Sequence, residues 1–268
     1  MSIALTAGMR SNLLALQGVD KMMQTTQNRL ATGKRVNSAL DDPVNFFKAQ
    51  DHHNRAGDLA ALKDGMNETI KVIEAANTGI ENITAMLNQM KSLASAAKTS
   101  TNASDLAAQF DTIRTQIAEL AADSSYGGQN LLDGDEITVV FNEDVASPSS
   151  LTVDGISATS TTAGSIAGAT VGPLVLTDID GSIAEIETAI QALRTEAQKL
   201  SSNLSTIQIR ADFTTEMVNT LTVGGDNLVL ADMNEEGANM LMLQTRQALG
   251  ATSLSLASQA AQSVLRLF

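Results

Sequence analysis

The sequence predicts a mainly α fold: an elongated coiled-coil helical rod formed by N- and C-terminal helices, with a small β-rich insert at the outer end. Three observations support this prediction. Apolar residues recur at steps of three and four over most of the 268-residue chain, which is the period of a coiled-coil seam. Aromatic residues, on which enzyme cores and pockets depend, are only 3%. Residues 131–180 interrupt the periodicity and are rich in Gly, Ser and Thr.

The first predicted helix covers residues 4–32 and ends at Gly33, since glycine readily takes the left-handed conformation of a C′ position. Its inward-facing seam includes Leu13, Leu16, Met23 and Leu30. Asp42 before Pro43 is the pattern of an N-cap followed by a first helical residue, so a second helix begins there. We favour capping over acid–base chemistry for the paired Asp41 and Asp42, because no His or Glu lies at a suitable spacing.

The next two helices are predicted at residues 44–98 and 104–123, with a polar break between them. Either Ser104 or Asp105 can cap the shorter helix, because both side chains accept hydrogen bonds from free N–H groups. A turn rich in Gly, Ser and Asn follows at residues 124–130.

The insert, residues 131–180, contains short runs typical of strands at residues 137–141, 151–153 and 171–177. Asp154-Gly155 is a candidate hairpin turn. The stretch from 157 to 169 is equally typical of a disordered polar loop. O-glycosylation is a further hypothesis, beside the simpler one of a plain loop. It concerns Ser147, Ser149, Ser150, Thr159, Ser160, Thr161 and Thr162.

Helical stepping returns at Gly181 and continues without a slip to Leu221, which corresponds to ~60 Å of helix at 1.5 Å per residue. We expect Gly224 and Gly225 to interrupt this helix before the C-terminal one. The last seam comprises Met240, Leu243, Gln247, Gly250, Leu254, Ala257, Ala261, Val264 and Phe268. Because chain ends are normally polar and frayed, an apolar seam in this position needs a partner to cover it. The ends therefore predict assembly.

Charge is distributed unevenly along the chain. The net charge is −13, yet residues 1–40 carry +4 and residues 237–268 carry +2, which leaves −19 for the middle. Weakly basic ends and a strongly acidic middle predict buried ends and a solvated middle. The acidic balance argues against a nucleic-acid partner.

Residues that carry chemistry are few. There is no Cys, and His52 and His53 are adjacent, so on a helix they point about 100° apart and cannot share a metal ion. The glycine pairs at 127–128 and 224–225 match neither a phosphate-binding loop nor a dinucleotide-binding fingerprint. We therefore predict no catalysis, no cofactor and no metal. We also expect no signal peptide. We expect no membrane insertion, since no apolar run reaches ~18 residues. Export by a dedicated apparatus remains open.

Three separated motifs resemble bacterial flagellin and cover residues 1–132 and 181–268. The run RLATGKRVNSALDDP from Arg29 to Pro43 is similar to the N-terminal signature of the family, and YGGQNLL at 126–132 is similar to its turn after the core helices. Residues 231–250 and 258–265 resemble the C-terminal helix. The matching positions are Arg29, Gly33, Asn37, Asp41, Asp42, Gln244, Arg246 and Gln259.

The resemblance implies a structural subunit that polymerises into the extracellular flagellar filament for motility. Residues 1–40 and 228–268 would form the inner terminal coiled coil of the filament core. Residues 41–130 and 181–227 would form the second helical layer, and residues 131–180 the small exposed insert.

The partners implied by the resemblance are further copies of the chain, a flagellar export chaperone, the flagellar type III export apparatus, and the cap and hook–filament junction proteins. The nearest alternative function is that of the hook–filament junction protein, which belongs to the same superfamily. The C-terminal residues and the short insert favour flagellin.

One segment departs from the family members that a toll-like receptor senses, in which it reads roughly LQRVREL. Here Leu87 and Leu93 match, but Gln89 and Lys91 stand at the two Arg positions and Ser92 stands at the Glu position. Arg and Lys are not equivalent in bidentate contacts. We predict weak or absent receptor activation.

Overall fold

The structure, a computed structural model, describes residues 7–144, 146–158, 165–166 and 169–265. Within these ranges it contains five helices, α1 (Ala7–Thr32), α2 (Pro43–Ala97), α3 (Ala103–Asp123), α4 (Ile179–Val229) and α5 (Met233–Leu265). Four short strands lie between α3 and α4: β1 (Glu136–Val140), β2 (Ser150–Asp154), β3 (Ser165–Ile166) and β4 (Ala169–Thr170). The predicted mainly α fold with a small β-rich insert is confirmed.

The chain forms two compact units. The terminal unit comprises residues 1–54 and 220–268, and the middle unit comprises residues 55–219. Of the 39 buried apolar residues in the described ranges, six lie in the terminal unit: Met9, Val36, Ala49, Leu221, Val229 and Leu243. Within the described part of the chain, the middle unit therefore holds most of the buried apolar side chains.

The core of the middle unit is one apolar cluster to which α2, α3, α4 and the insert contribute. On α4, buried residues recur every seven positions at Ile186, Leu193, Leu200 and Ile207. On α2 buried residues recur at steps of three and four: Ile73, Ala76, Ile80, Ile83, Leu87, Met90, Ala94 and Ala97. Each fully buried large aliphatic side chain contributes about 1.5–3 kcal/mol relative to an exposed one. The three–four period thus identifies the faces that pack.

The turn after α3 connects the helices to the insert. Gly127 and Gly128 have φ values of 60° and 85°, which suit glycine. The side-chain amide of Asn130 donates hydrogen bonds to the carbonyl oxygens of Ala121 and Ala122 at 2.8 and 3.0 Å. These bonds satisfy carbonyl groups that the end of α3 leaves free. The following Leu131 and Leu132 are fully buried in the core.

In the insert, β1 and β2 form an antiparallel hairpin in which Thr138 is paired with Thr152. The prediction of a strand at residues 171–177 is wrong, because the chain turns there while still burying Val171 and Leu174. Pro173 has no N–H group to donate to a strand partner. Of the residues considered for glycosylation, those at 159–162 lie outside the described ranges.

Asp154-Gly155 is not the hairpin turn, because it lies at the far end of β2. The segment that connects β1 to β2 is residues 141–149. Gly155 has a different role. A Cβ atom there would overlap the backbone carbonyl oxygen of Asp135 and lie 2.7 Å from that of Leu131. Glycine therefore allows two backbone segments to approach closely.

Two expectations about helix ends are also wrong. Gly224 and Gly225 do not interrupt α4, which continues to Val229. The N-cap of α3 is Asn102, without a side-chain capping bond, and the predicted caps Ser104 and Asp105 lie inside the helix.

Candidate assembly interface

In the terminal unit, α1 and α5 pack against each other in antiparallel orientation. Polar side chains pair at three levels: Asn12 with Ser253 at 3.4 Å, Asp20 with Gln247 at 2.8 Å, and Arg29 with Glu236 at 2.8 Å. Between them Leu16 packs onto Gly250, where a Cβ atom would lie 2.6 Å from the Cδ2 atom of the leucine. The glycine of the predicted seam thus provides room for a large side chain of the other helix.

Past the end of α1, the chain pairs with the connection between α4 and α5. The backbone N–H of Arg35 donates to the carbonyl of Val229 at 2.7 Å, and that of Ala231 donates to the carbonyl of Gly33 at 3.0 Å. Val36 and Val229 are buried together with Ala49 in a small apolar cluster. This pairing ties the two terminal segments together beside the helix pair.

Gly33 ends α1 as predicted. Its φ is +69°, and its N–H donates to the carbonyl of Arg29 at 2.8 Å, which is the bond of a left-handed C-cap. Asn37, another residue of the signature, donates from its side-chain amide to the carbonyl of Lys34 at 3.1 Å. The signature residues after the helix are therefore engaged in shaping the connection between α1 and α2.

Asp41 and Asp42 both accept hydrogen bonds from backbone N–H groups. Oδ2 of Asp41 accepts from Asn37 and Ser38, each at 3.0 Å, and these bonds lower the pKa of its carboxyl group. Oδ1 of Asp42 accepts from Asn45 at 3.1 Å, which caps α2 as predicted and lowers the pKa of Asp42. Groups held in the charged form by such bonds are suited to capping and not to proton transfer near neutral pH.

The predicted seam residues are covered to different degrees. Leu243 is buried, whereas Leu13 is 41% exposed. Leu16, Met23, Leu30, Met240, Leu254 and Ala257 are half-buried. The side chains of Ala261 and Val264, and all of Phe268, lie outside the described part of the structure. The pairing of α1 with α5 therefore covers the seam only in part.

A second apolar stripe on α5 was missed in the sequence. Leu241, Leu249 and Leu256 are 67%, 66% and 62% exposed. With Thr245 and Thr252 they form a row at steps of four, four, three and four, which we call the outer stripe. This row has the same steps of three and four as the first seam, so the sequence contains the signal for it. A helix that is apolar on opposite sides is typical of one that is buried on both sides.

Exposed apolar side chains are concentrated in the terminal unit. Of the 18 exposed large apolar residues that the structure describes, 13 lie in this unit, although it is the smaller of the two. Leu14 and Met22 of α1 are 68% and 47% exposed. Exposed apolar surface on this scale is typical of an interaction site.

The other signature residues of α5, Gln244, Arg246 and Gln259, are exposed. In the segment that departs from receptor-sensed family members, Leu87 is buried, Leu93 is half-buried, and Gln89 and Ser92 are exposed. The ammonium group of Lys91 lies 2.7 Å from Oε1 of Glu187.

Groups suited to chemistry do not converge in the described ranges. No cluster of three or more His, Asp or Glu residues there could hold a metal ion. His53 instead lies beside Asp226, with 3.5 Å between Nε2 and Oδ1. None of the helices in the described part is long and apolar enough to cross a membrane.

Paired terminal helices that leave apolar rows uncovered define a mainly helical protein with a candidate interaction surface on these helices. The family model for the bacterial flagellin N-terminal helical region matches residues 5–136. Flagellin FljK of Caulobacter vibrioides is 30% identical over 100% of this chain and 98% of its own. A flagellin of Brucella melitensis is 30% identical over 100% of this chain and 97% of its own.

A crystal structure of Bacillus cereus flagellin covers 56% of this chain and 88% of its own, with a TM-score of 0.48 and 19% identity. By the full-length similarity to its relatives, the chain belongs to the flagellin family, a family of structural proteins of the flagellar filament.

Proposed function

We propose that this chain is a subunit of the extracellular flagellar filament and acts by packing, without catalysis. The observation that carries the proposal is the outer stripe of α5, in which three leucines are more than 60% exposed on a helix whose other side is already packed. Further copies of the chain would cover this stripe. Contacts between two different surfaces of one chain extend into a helical polymer when the rotation between neighbours does not close a ring.

Different segments of the chain would occupy different positions in the polymer. Residues 1–40 and 228–268 would form the inner coiled coil, because the exposed apolar surface is concentrated in the terminal unit. Residues 41–130 and 181–227 would form the surrounding helical layer. The insert, residues 131–180, would face solvent, which agrees with the acidic charge of the middle of the chain.

The exposed stripe also suggests what the chain needs before assembly. Large exposed apolar rows promote aggregation, so an export chaperone would cover α5 until the subunit is handed to the flagellar type III export apparatus. The cap and hook–filament junction proteins would meet the same terminal helices at the two ends of the filament. Full-length similarity to proteins named flagellin supports a filament subunit over a junction protein.

A pelleting assay with surface variants tests this proposal. Leu249→Asp places a charge in the outer stripe at a position that is exposed in the single chain, so folding is expected to be preserved. In a covered interface the unpaired charge is costly, and we expect the concentration required for pelleting to rise by about tenfold or more.

The matched control is Val175→Asp, which changes an apolar residue of the insert that is 47% exposed. This variant should pellet like the unchanged chain. Pelleting of Leu249→Asp at the unchanged concentration, with Val175→Asp impaired instead, would show that assembly does not use the outer stripe.

A further inference from the structure

Gly18 lies in the middle of α1, at a position where the fold of the single chain does not require a glycine. Its backbone is helical, and a Cβ atom there would meet nothing within 4 Å in the described part of the chain. Glycine is less favourable than alanine inside a helix, because it loses more conformational freedom on folding. The glycine therefore weakens α1 without making room for any described neighbour.

The side chains next to Gly18 on the helix surface are large, apolar and exposed. Leu14 and Met22, four residues before and after the glycine, are 68% and 47% exposed. Residues four apart are neighbours on a helix surface, so the three form a row with a notch at the glycine. We call these three residues the α1 row. Gly18 lies two residues from Leu16, which contacts α5, and so points about 200° away from that contact.

The outer stripe of α5 has the complementary order of side-chain sizes. Leu249 stands between Thr245, four residues before it, and Thr252, three residues after it. If Leu249 occupied the notch at Gly18, the large side chains of the α1 row would lie beside the two smaller threonines. The stripe carries a threonine on each side of the leucine, so this match holds for either relative direction of the helices.

The chain already uses such a fit internally. Leu16 of α1 packs onto Gly250 of α5, where a Cβ atom would lie 2.6 Å from Cδ2 of the leucine. Because the two helices contact each other through these faces, the α1 row and the outer stripe of one chain point away from each other. They can meet only between two copies.

We propose that Leu249 of one copy packs into the notch at Gly18 of another, so that the α1 row is the surface that covers the outer stripe. This inference rests on the proposed filament function and adds which surface of the second copy is used. It also gives a reason for a glycine that the single chain does not need, because a methyl group at this position would fill the notch.

Gly18→Ala separates packing between copies from the stability of the single chain. In the single chain the added methyl group meets no described atom, so we expect the melting temperature to rise by about 1–4 °C. Between copies the methyl group would take space that Leu249 needs, and we expect the concentration required for pelleting to rise by about tenfold. The inference thus predicts a more stable subunit that assembles less well.

The matched control is Gly65→Ala. Gly65 is an exposed glycine of α2 at which a Cβ atom also meets nothing within 4 Å, but its neighbours four residues away are Ala61 and Thr69. This variant should also melt at a higher temperature and should pellet like the unchanged chain. Equal pelleting of Gly18→Ala, Gly65→Ala and the unchanged chain would overturn the inference and leave the proposed function intact. Failure of the unchanged chain to pellet would overturn both.

A double-mutant cycle tests whether Leu249 is the side chain in the notch. Leu249→Ala removes this side chain, so adding Gly18→Ala to it should raise the pelleting concentration by a further factor of about three or less. In a Leu241→Ala background, at another position of the outer stripe, Gly18→Ala should keep its effect of about tenfold. A tenfold effect of Gly18→Ala in both backgrounds would overturn the assignment of Leu249 to the notch.

Discussion

The guanidinium group of Arg210 lies over the ring of Phe141, with 5.2 Å from Cζ to the ring centroid. Phe141 follows β1 in the hairpin, and its ring is almost fully buried. Arg55 forms an ion pair with Glu143 two residues further on. Within the middle unit, two arginines from α2 and α4 therefore fasten the start of the hairpin connection to the helices.

Loss of the Arg210 contact should weaken the middle unit slightly. We expect Arg210→Ala to lower the free energy of unfolding by about 0.5–1 kcal/mol, because a partly exposed cation–π contact is lost. Urea denaturation followed by circular dichroism measures the change. Arg194→Ala is the control, since Arg194 is an exposed arginine of the same helix whose guanidinium lies over no described ring. Equal midpoints for the two variants would contradict the contact.

Gly224 and Gly225 should respond in different ways to alanine. A Cβ atom at Gly224 meets nothing within 4 Å, so Gly224→Ala should stabilise α4 by about 0.5–1 kcal/mol. At Gly225 a Cβ atom would lie 3.2 Å from the carbonyl oxygen of Ala49 and 3.1 Å from Nε2 of His53. Gly225→Ala should therefore gain less or destabilise the chain. The melting temperatures of the two variants are compared by thermal unfolding. An equal rise in both would show that Ala49 and His53 move aside for the added methyl group at no cost.

Acid should release the connection between α1 and α2. The pKa values of Asp41 and Asp42 lie below their ordinary value of 3.8, because backbone N–H groups bind the charged forms. Their contribution to stability is thus complete above 3.8 and is lost as pH falls through the lower folded-state pKa values.

The pH effect can be isolated with D41N/D42N, which removes the titration and keeps one oxygen at each position to accept from the backbone N–H groups. The melting temperature of the unchanged chain should exceed that of this variant at about pH 6, and the difference should shrink as the pH falls below 3.8. A difference that stays constant over this range would mean that the two carboxylates contribute nothing through their charge.

Receptor activation by the monomer should be weak or absent. On α2, Gln89 and Ser92 are exposed and replace charged residues of the receptor-sensed pattern, while Lys91 is already paired with Glu187. A toll-like receptor reporter-cell assay with purified monomer measures the signal. Q89R/K91R/S92E should raise it, and potent signalling from the unchanged chain would contradict the prediction.

Features of the fold that are local or periodic could be predicted from the sequence, and the others could not. The heptad row on α4 from Ile186 to Ile207 and the Asp42 cap follow from spacing and from neighbouring residues, and the structure has both. The predicted helix break at Gly225 is wrong, because the glycine makes room for the backbone of Ala49. No local sequence pattern reveals that contact. The sequence predicts a strand at Val171, because a buried position favours valine in a turn as well as in a strand.

The candidate site was predicted in part. The first seam follows from the three–four period, and the outer stripe keeps the same period with Thr at two of its five positions. The ion pair between Arg29 and Glu236 could not be inferred from spacing, because its partners lie 207 residues apart. Such contacts depend on which helices meet, and that information is not local.

Negative-stain electron microscopy of the seeded or salted-out protein tests the central claim most directly. The full chain is compared with a truncation that lacks residues 237–268, which removes most of α5 and the whole outer stripe. The account predicts long filaments from the full chain and none from the truncation. Soluble monomers from both chains, or short rings that do not elongate, would contradict a filament subunit and favour a junction protein.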